Sequence, residues 1–224
     1  MVKILCIETS TEICSVALAE HGKTVALNEL QEGNRHASHL TTLISEVLNG
    51  NLKAIDAVAV SMGPGSYTGL RVGVSTAKGL CFALNIPLIA IPTLESLAHY
   101  FHCRHGNPDS SANLIPMIDA RRMEVYTASF DSQLNQILPT SAMIINTESF
   151  EAQLVQPTYF FGNGAAKCKT VITASNAMFV DDIHCSADGM SALAQKAFDA
   201  NRFEDVAYFE PFYLKDFVGT KAKR

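Results

Sequence analysis

Residues 2–19 read VKILCIETSTEICSVALA, and this stretch decides the fold. It contains two short apolar runs with β-branched residues, separated by a polar turn, which is the pattern of two buried strands joined in a hairpin. Residues 114–130 repeat the plan: an apolar run ends in Asp119, a polar turn follows, and another strand begins. Glu8 ends the first run in the same way, half a chain length earlier. A repeat of this period is too long for a solenoid and predicts a duplicated lobe.

Helices and buried strands alternate after the first hairpin. Residues 54–61 and 86–91 are apolar almost throughout, which is typical of strands in a parallel sheet covered on both faces. Apolar residues recur at helical spacing before the first of these strands. Helices are also predicted after the glycine-rich break at residues 63–66, and at residues 148–155 and 191–198. This order of elements indicates an α/β protein.

The polar stretch at residues 104–112 predicts the boundary between two lobes. We expect an N-terminal lobe at residues 1–105 and a smaller C-terminal lobe at residues 106–210. A C-terminal segment, residues 211–224, is expected to pack back on the N-terminal lobe. Two such lobes would face each other across a cleft, and clefts between domains are common ligand sites.

Composition excludes several classes of protein. The net charge of −5 and the sequence pI of about 5.8 argue against a protein that grips RNA or DNA alone, because such proteins present a basic surface. No apolar stretch approaches the roughly 20 residues that span a bilayer. The six cysteines form no C-x-x-C pair, and no signal peptide precedes the first strand. We therefore expect a cytoplasmic protein with free thiols and no membrane association.

Two sets of residues are candidates for a phosphate site. Glu8, Thr9 and Ser10 combine a carboxylate at a strand end with hydroxyl groups in a turn. Such a turn can hold a metal–phosphate unit, or it can simply form a polar hairpin connection. Gly162 and Gly164 follow an apolar strand and give a thin signal for adenosine binding. ATP binding is therefore left open.

The glycine-rich residues 63–69, GPGSYTG, lie between a buried strand and a helix. Free amides at a helix N-terminus can bind an anion, but the glycine spacing matches neither a P-loop nor a dinucleotide fingerprint, so a tight turn explains the segment equally well. Gly69, Gly73 and Ala77 then recur at every fourth position, with Thr76 beside them. Because glycine inside a helix costs about 1 kcal/mol relative to alanine, this stripe predicts close approach of another backbone, in the core or from a partner chain.

Motifs of catalysis are scarce. The chain contains no nucleophile elbow and no H-E-x-x-H pair. His36 and His39 are three residues apart and could share a metal ion, but histidine pairs at a helix start are usually exposed. We therefore expect no metal site.

Five segments of the chain form a recognisable combination. They are ILCIETSTEICSV at residues 4–16, GPGSYTGLRVG at residues 63–73, PLIAIPTLES at residues 87–96, IDARRMEVY at residues 118–126 and PFYL at residues 211–214. The combination resembles the bacterial TsaB family, which is also called YeaZ. The resemblance implies an α/β actin-like ATPase fold (ASKHA, ribonuclease H-like) with two lobes, of which the second is degenerate.

The resemblance also implies a function. Members of the TsaB family are non-catalytic scaffold or activating subunits that partner the paralogue TsaD, together with TsaE, in making threonylcarbamoyladenosine next to the anticodon of tRNA. TsaD is the catalyst, and TsaB-type chains form homodimers when alone. On this basis we expect a heterodimer with TsaD, contact with tRNA only through the complex, and no intrinsic cofactor.

Two implications of the resemblance concern individual positions. The catalytic paralogue carries a His-x-x-x-His metal motif where this chain has Thr93 and Leu97, so neither a metal site nor a catalytic residue is expected here. In the family, the helices after the third strand and after the G-P-G-S turn form the dimer surface. The partner interface is therefore assigned to Leu40, Leu43, Gly69, Val72, Gly73, Thr76 and Ala77. Because one helical face cannot pack both inward and outward, some of these residues must belong to the core.

Two enzymatic alternatives stay open at this point. The two-lobed plan and the Glu8-Thr9-Ser10 turn are compatible with an actin-like ATPase or phosphotransferase. A metallopeptidase is the second alternative, although residues 93–97 lack the metal ligands that it would need. Tight binding of ATP with Mg²⁺ would favour the first, and stoichiometric iron or zinc would favour the second.

Overall fold

The computed structural model of the chain describes residues 2–31, 36–106 and 109–215. The strands of the N-terminal half are β1 (Lys3–Glu8), β2 (Cys14–Glu20), β3 (Lys23–Leu30), β4 (Ala57–Gly63) and β5 (Leu88–Pro92). Its helices are α1 (His36–Val47), α2 (Tyr67–Leu84) and α3 (Thr93–His105). The strands of the C-terminal half are β6 (Asn113–Asp119), β7 (Glu124–Asp131), β8 (Gln136–Ile144), β9 (Thr158–Phe161) and β10 (Ala177–Val180), and its helix is α4 (Ser191–Asp199). Short 3₁₀ turns lie at Leu52–Ala54, Ala166–Cys168 and Ala187–Met190.

The two halves build sheets with the same strand order. The first sheet runs β3-β2-β1-β4-β5, and the second runs β8-β7-β6-β9-β10. In each sheet three antiparallel strands form a meander, and two further strands pair in parallel beside the first strand of that meander. The duplication predicted from the sequence repeat is confirmed, and Glu8 and Asp119 end equivalent strands.

Both faces of the first sheet are covered, which explains why β1 is apolar almost throughout. Leu5 and Ile7 pack in the cluster that contains α1 and α2, whereas Ile4 and Cys6 pack in the cluster that contains α4. Side chains of a strand point alternately to its two faces, so each pair serves one helical layer. The helix α4 therefore returns from the C-terminal half of the chain to cover the first sheet.

The second sheet is covered by a helix on one face only. The helix α3 packs Leu97 and Phe101 there, and the ring of Phe101 stacks on that of Phe161 with their centroids 4.3 Å apart. The opposite face is covered by turns and by the short 3₁₀ turn that contains Cys168. This reduced layer is the degenerate second lobe that the resemblance implied.

The prediction of a helix at residues 148–155 is wrong. These residues form hydrogen-bonded turns between β8 and β9. Phe150 adopts a left-handed backbone conformation with φ at +67°, which a regular helix does not tolerate. Its ring is buried and meets the ring of Phe160 edge-on at 5.4 Å. Burial of this ring in the core outweighs the local helical pattern.

A polar cluster links β3 to residues 184–186 of the second half. Glu29 Oε1 accepts hydrogen bonds from Ser15 Oγ and Ser186 Oγ, each at 2.7 Å, and His184 Nε2 lies 3.3 Å from Oε2. Burial acts to raise the pKa of Glu29, but the hydrogen bonds from His184, Ser186 and Ser15 outweigh it and hold the pKa below its ordinary value. The charged carboxylate therefore stabilises the contact between the halves.

The C-terminal segment is described as far as Lys215. The Phe212 amide donates to Met62 O at 2.7 Å, and the ring of Tyr213 lies 4.9 Å from that of Tyr67. Lys215 forms an ion pair with Glu124 at the start of β7. The basic residues beyond it lie outside the described part of the chain, and the lobe boundaries stay a prediction. Within the described ranges, none of the helices combines the length and the apolar character needed to cross a membrane.

Candidate partner surface and interlobe cleft

Glu8 ends β1 at the base of the first polar turn, and its side chain is fully buried. Its Oε1 accepts hydrogen bonds from the Ser10 amide at 2.6 Å and from Ser61 Oγ at 2.9 Å, whereas Oε2 has no partner among the described residues. Burial raises the pKa of the Glu8 carboxyl and outweighs these hydrogen bonds, which act to lower it. The Glu8 carboxyl is thus engaged by Ser10 and Ser61 in the interior and does not line the cleft between the two lobes.

Glycines seat α2 directly on this polar turn. A Cβ atom on Gly69 would overlap the main-chain oxygen of Thr9, and one on Gly73 would overlap Thr9 Oγ1. A Cβ atom on Gly65, just before the helix, would likewise overlap the main-chain oxygen of Ser10. Thr9 Oγ1 completes the contact by donating a hydrogen bond to Gly69 O at 2.8 Å. Thr9 and the backbone of Ser10 are therefore engaged in packing within the chain.

Most residues assigned to the partner interface lie in the interior instead. The buried ones are Leu40, Leu43, Gly69, Gly73 and Ala77. The assignment of these five to a partner surface is wrong, because the close backbone approach predicted from the small residues occurs within the chain. The other two, Val72 and Thr76, are half-buried and remain at the surface.

A second stripe of small residues lies on the exposed side of α2. Ser75, Gly79 and Ala83 recur at every fourth position, and no atom of the part of the chain that the structure describes lies within 4 Å of the place that a Cβ on Gly79 would take. Phe82 stands next to this stripe with 84% of its surface exposed. A large exposed ring beside small side chains indicates a surface on which another element packs. These four residues are called the outer face of α2 below.

A cleft of about 620 Å³ lies between the polar turns that follow β1 and β6. Glu12 and the first turn of α2 line one side, Asp119 and Arg121 line the other, and residues 212–215 of the C-terminal segment close part of the rim. Asn163 Nδ2 donates to Glu12 Oε2 at 2.8 Å, which joins the two walls directly. The cleft therefore carries side chains of both charges and a direct hydrogen bond between the halves.

Gly162 and Gly164, the adenosine-site candidates, pack directly against β6. A Cβ on Gly162 would overlap the main-chain oxygen of Met117, and one on Gly164 would lie 2.9 Å from the carbonyl carbon of Ile118. Asn163 between them reaches the cleft, where its Oδ1 accepts a hydrogen bond from the Asp119 amide at 3.0 Å. The sequence signal at residues 161–164 included Asn163 but gave it no role, and its hydrogen bonds across the cleft depend on how the two halves meet.

Thr93 and Leu97 occupy the positions of the metal motif of the catalytic paralogue. Thr93 Oγ1 accepts a hydrogen bond from the Gly63 amide at 3.1 Å, and Leu97 is only 1% exposed in the core against the second sheet. Both side chains are thus occupied by structural contacts. Among the described residues, no three His, Cys, Asp or Glu side chains come together as a set that could hold a metal ion. The side chain of His36 lies outside the described part of the chain.

Known proteins share this architecture and sequence. The family model described as "TsaD: tRNA N6-adenosine threonylcarbamoyltransferase" matches residues 31–220. The tRNA threonylcarbamoyladenosine biosynthesis protein TsaB of Bacillus subtilis (strain 168) is 30% identical over 176 residues, which cover 75% of this chain and 74% of the relative. The chain belongs to the TsaB family.

Two further relatives extend the match to TsaB. The TsaB protein of Haemophilus influenzae is 39% identical over 126 residues, which cover 55% of this chain and 51% of the relative, so the aligned part spans about half of that TsaB. A crystal structure from Pseudomonas aeruginosa, of an uncharacterized protein with similarity to peptidase YEAZ, gives a TM-score of 0.80 at 27% identity and covers 96% of this chain and 100% of that chain. The two-lobed actin-like fold implied by the resemblance to TsaB is therefore confirmed.

Proposed function

We propose that this chain is a non-catalytic subunit of the complex that makes threonylcarbamoyladenosine next to the anticodon of tRNA, and that it acts by binding a TsaD-type catalytic subunit. Membership of the TsaB family makes the chain a component of threonylcarbamoyladenosine biosynthesis. The partner role is supported above all by the outer face of α2, because none of the described residues covers this apolar and small-residue surface.

The outer face suits a helix from a partner chain. Burying an aromatic side chain such as Phe82 contributes roughly 1.5–3 kcal/mol. The small side chains of Ser75 and Gly79 let a second helix come close, and the distance between packed helices depends on the residues at the contact. A paralogue with the same fold presents an equivalent helix, so the two chains would pack in a pseudo-symmetric pair. The same face would serve in a homodimer when the chain is alone.

Two observations support a subunit without chemistry of its own. Thr93 and Leu97, at the positions of the metal motif, are engaged in the core of the chain. The buried carboxyl of Glu8 is not among the groups that line the cleft, and the carboxylate of Glu12, which does line it, is held by a hydrogen bond from Asn163. Neither the ATPase nor the metallopeptidase alternative therefore gains support from the described residues.

The remaining parts of the proposal follow from the family. TsaE joins the two subunits in a ternary complex, and tRNA reaches this chain only through that complex. The chain works in the cytoplasm without an intrinsic cofactor. Residues 1–105 and 106–210 supply the sheets of the two lobes, the helices α3 and α4 each pack on the sheet of the other part, and residues 211–224 are the terminal segment.

Co-purification with the TsaD-type subunit of the same organism tests the partner role, followed by a threonylcarbamoylation assay on tRNA with each protein alone and together. We expect modification only when both proteins are present. Phe82→Asp should weaken the complex at least about 100-fold, because it removes a buried ring and places a charge in an apolar contact. Val155→Asp is the matched control, since Val155 is 74% exposed but lies on the turn between β8 and β9.

Each outcome bears on a separate part of the proposal. If the wild-type chain forms no complex, or modifies tRNA by itself, the role of a non-catalytic subunit is refuted. If the complex forms and Phe82→Asp leaves it intact, the outer face of α2 is not the interface.

A further inference from the structure

The connection between β6 and β7 has an unusual backbone. The Ala120 amide donates to Glu124 O at 3.0 Å, and the Arg121 amide donates to Asp119 Oδ1 at 2.7 Å, so the turn is held by its own hydrogen bonds. Arg121 has φ at +72° and Arg122 has φ at +52°. Two consecutive residues with long side chains therefore occupy the left-handed region, which glycine or asparagine adopts at lower cost.

This choice of residues calls for a reason. Tight hairpin turns with left-handed positions usually contain Asn-Gly or Asp-Gly, whereas this turn carries two arginines. Backbone strain of this kind is concentrated at functional sites. The side chains of Arg121 and Arg122 are the feature that the strained turn presents to its surroundings.

The charges around the turn leave the two guanidinium groups uncompensated. Lys167 Nζ lies 2.5 Å from Asp119 Oδ1, and Lys215 pairs with Glu124, so the carboxylates of the turn are neutralised by lysines. Arg121 and Arg122 are both exposed, and neither side chain makes an ion pair or a hydrogen bond with another described residue.

The local charge balance contrasts with that of the chain. Glu12, which lines the same cleft as Arg121, is the opposing carboxylate, and it accepts a hydrogen bond from Asn163. The charged residues that line the cleft balance, with Glu12 and Asp119 against Arg121 and Lys215. Around the turn itself, Arg121, Arg122 and the two lysines stand against Asp119, Glu124 and Glu12, so the turn carries one excess positive charge on a chain whose net charge is −5.

The chemistry of the rim matches a nucleic-acid strand. Exposed guanidinium groups bind phosphate oxygens through paired hydrogen bonds. Tyr126 lines the cleft beside Arg121 and offers a ring on which an unpaired base can stack, whereas the rings of Tyr67 and Tyr213 lie against each other at the same cleft. Because Arg121 lines the cleft and both arginines are exposed, they can reach the phosphates of a polymer that passes the turn.

We propose that the Arg121–Arg122 turn contacts the phosphate backbone of tRNA in the assembled complex. This inference rests on the proposed function, since the acidic chain needs the other subunits to supply most of the attraction for RNA. The turn would add a contact that positions the tRNA rather than one that reads its sequence, because phosphate contacts carry no sequence information.

The experiment uses the complex of this chain with the TsaD-type subunit and fluorescently labelled tRNA, with binding measured by anisotropy at several salt concentrations. For Arg121→Gln/Arg122→Gln we expect binding roughly 10- to 30-fold weaker at 0.15 M salt, and a slope of log Kd against log salt that is smaller by about 1.4–1.8, which corresponds to two lost phosphate contacts. The matched control is Lys23→Gln/Lys53→Gln, which removes the same charge from two exposed lysines of the first half and should change Kd less than twofold. Arg121→Lys/Arg122→Lys should restore most of the salt slope.

The outcomes separate this inference from the proposed function. If the wild-type complex forms and modifies tRNA but Arg121→Gln/Arg122→Gln keeps the wild-type Kd and salt slope, the tRNA contact is refuted and the subunit role stands. If the double variant no longer assembles with the TsaD-type subunit although its melting temperature is unchanged, the turn is a protein contact and the inference is also refuted. If the wild-type complex does not form, the proposed function itself fails.

Discussion

Replacing Gly69 with alanine tests whether α2 is seated on the polar turn after β1. The added Cβ would overlap the main-chain oxygen of Thr9, which cannot move aside as the end of a flexible side chain can. Overpacking of this kind costs roughly 1–3 kcal/mol, and the higher helix preference of alanine offsets up to about 1 kcal/mol of it. We expect a net loss of about 1–2 kcal/mol in the free energy of unfolding.

Gly79→Ala is the matched control, because it makes the same change in the same helix at a position with open space around it. It should gain about 0.5–1 kcal/mol from helix preference alone. For a chain of this size, 1 kcal/mol corresponds to about 2–4 °C in melting temperature, so the two variants should melt about 3–12 °C apart. Thermal melts followed by circular dichroism at several protein concentrations separate folding from self-association. A melting temperature of Gly69→Ala equal to or above that of Gly79→Ala would refute the close contact between the helix and the turn.

Two further predictions concern stability as a function of pH. Burial raises the pKa of Glu8 above 4.5 in the folded state. The contribution of Glu8 to the free energy of unfolding is therefore complete below pH 4.5 and is lost as pH rises through the folded pKa. Glu8→Gln should therefore become increasingly stabilising relative to wild type in urea melts from pH 5 to pH 8, and parallel curves would contradict this. The pKa of Glu29 is lowered in the folded state. Its contribution to the free energy of unfolding is therefore present above pH 4.5 and is lost as pH falls through the folded pKa. Glu29→Ala should cost about 2–4 kcal/mol at pH 7 and clearly less at pH 3, and a constant difference would show that the charge of this carboxylate is unimportant.

The sheets could be predicted from sequence because their signals are local. The apolar runs and polar turns at residues 2–19 and 114–130 mark hairpins by themselves, and their separation reveals the duplication. The error at residues 148–155 has a different origin. The backbone there is set by the burial of the Phe150 ring against Phe160, and this tertiary contact leaves no local pattern in the sequence.

The proposed partner surface was harder to predict because α2 carries small residues on two sides. The stripe of Gly69 and Gly73 faces inward, and that of Ser75 and Gly79 faces outward, with the same spacing of four. Spacing alone cannot distinguish the two. The core side was nevertheless marked by apolar side chains that include Val74, directly beside the first stripe. Which residues stay uncovered, Phe82 above all, depends on the packing of the whole sheet and could not be predicted from the helix alone.

The packing of the polar turn after β1 also positions the outer face of α2. The Thr9 hydroxyl donates a hydrogen bond to Gly69 O of α2, and Glu8 accepts hydrogen bonds from Ser10 and Ser61, which fix the turn against β4. A helix held firmly from within presents its outer face in one geometry, and a preorganised surface loses less conformational entropy when it binds. A variant that loosens the contact between α2 and the turn, such as Gly69→Ala, should therefore weaken binding of the TsaD-type subunit as well as lower stability, although Gly69 itself is buried.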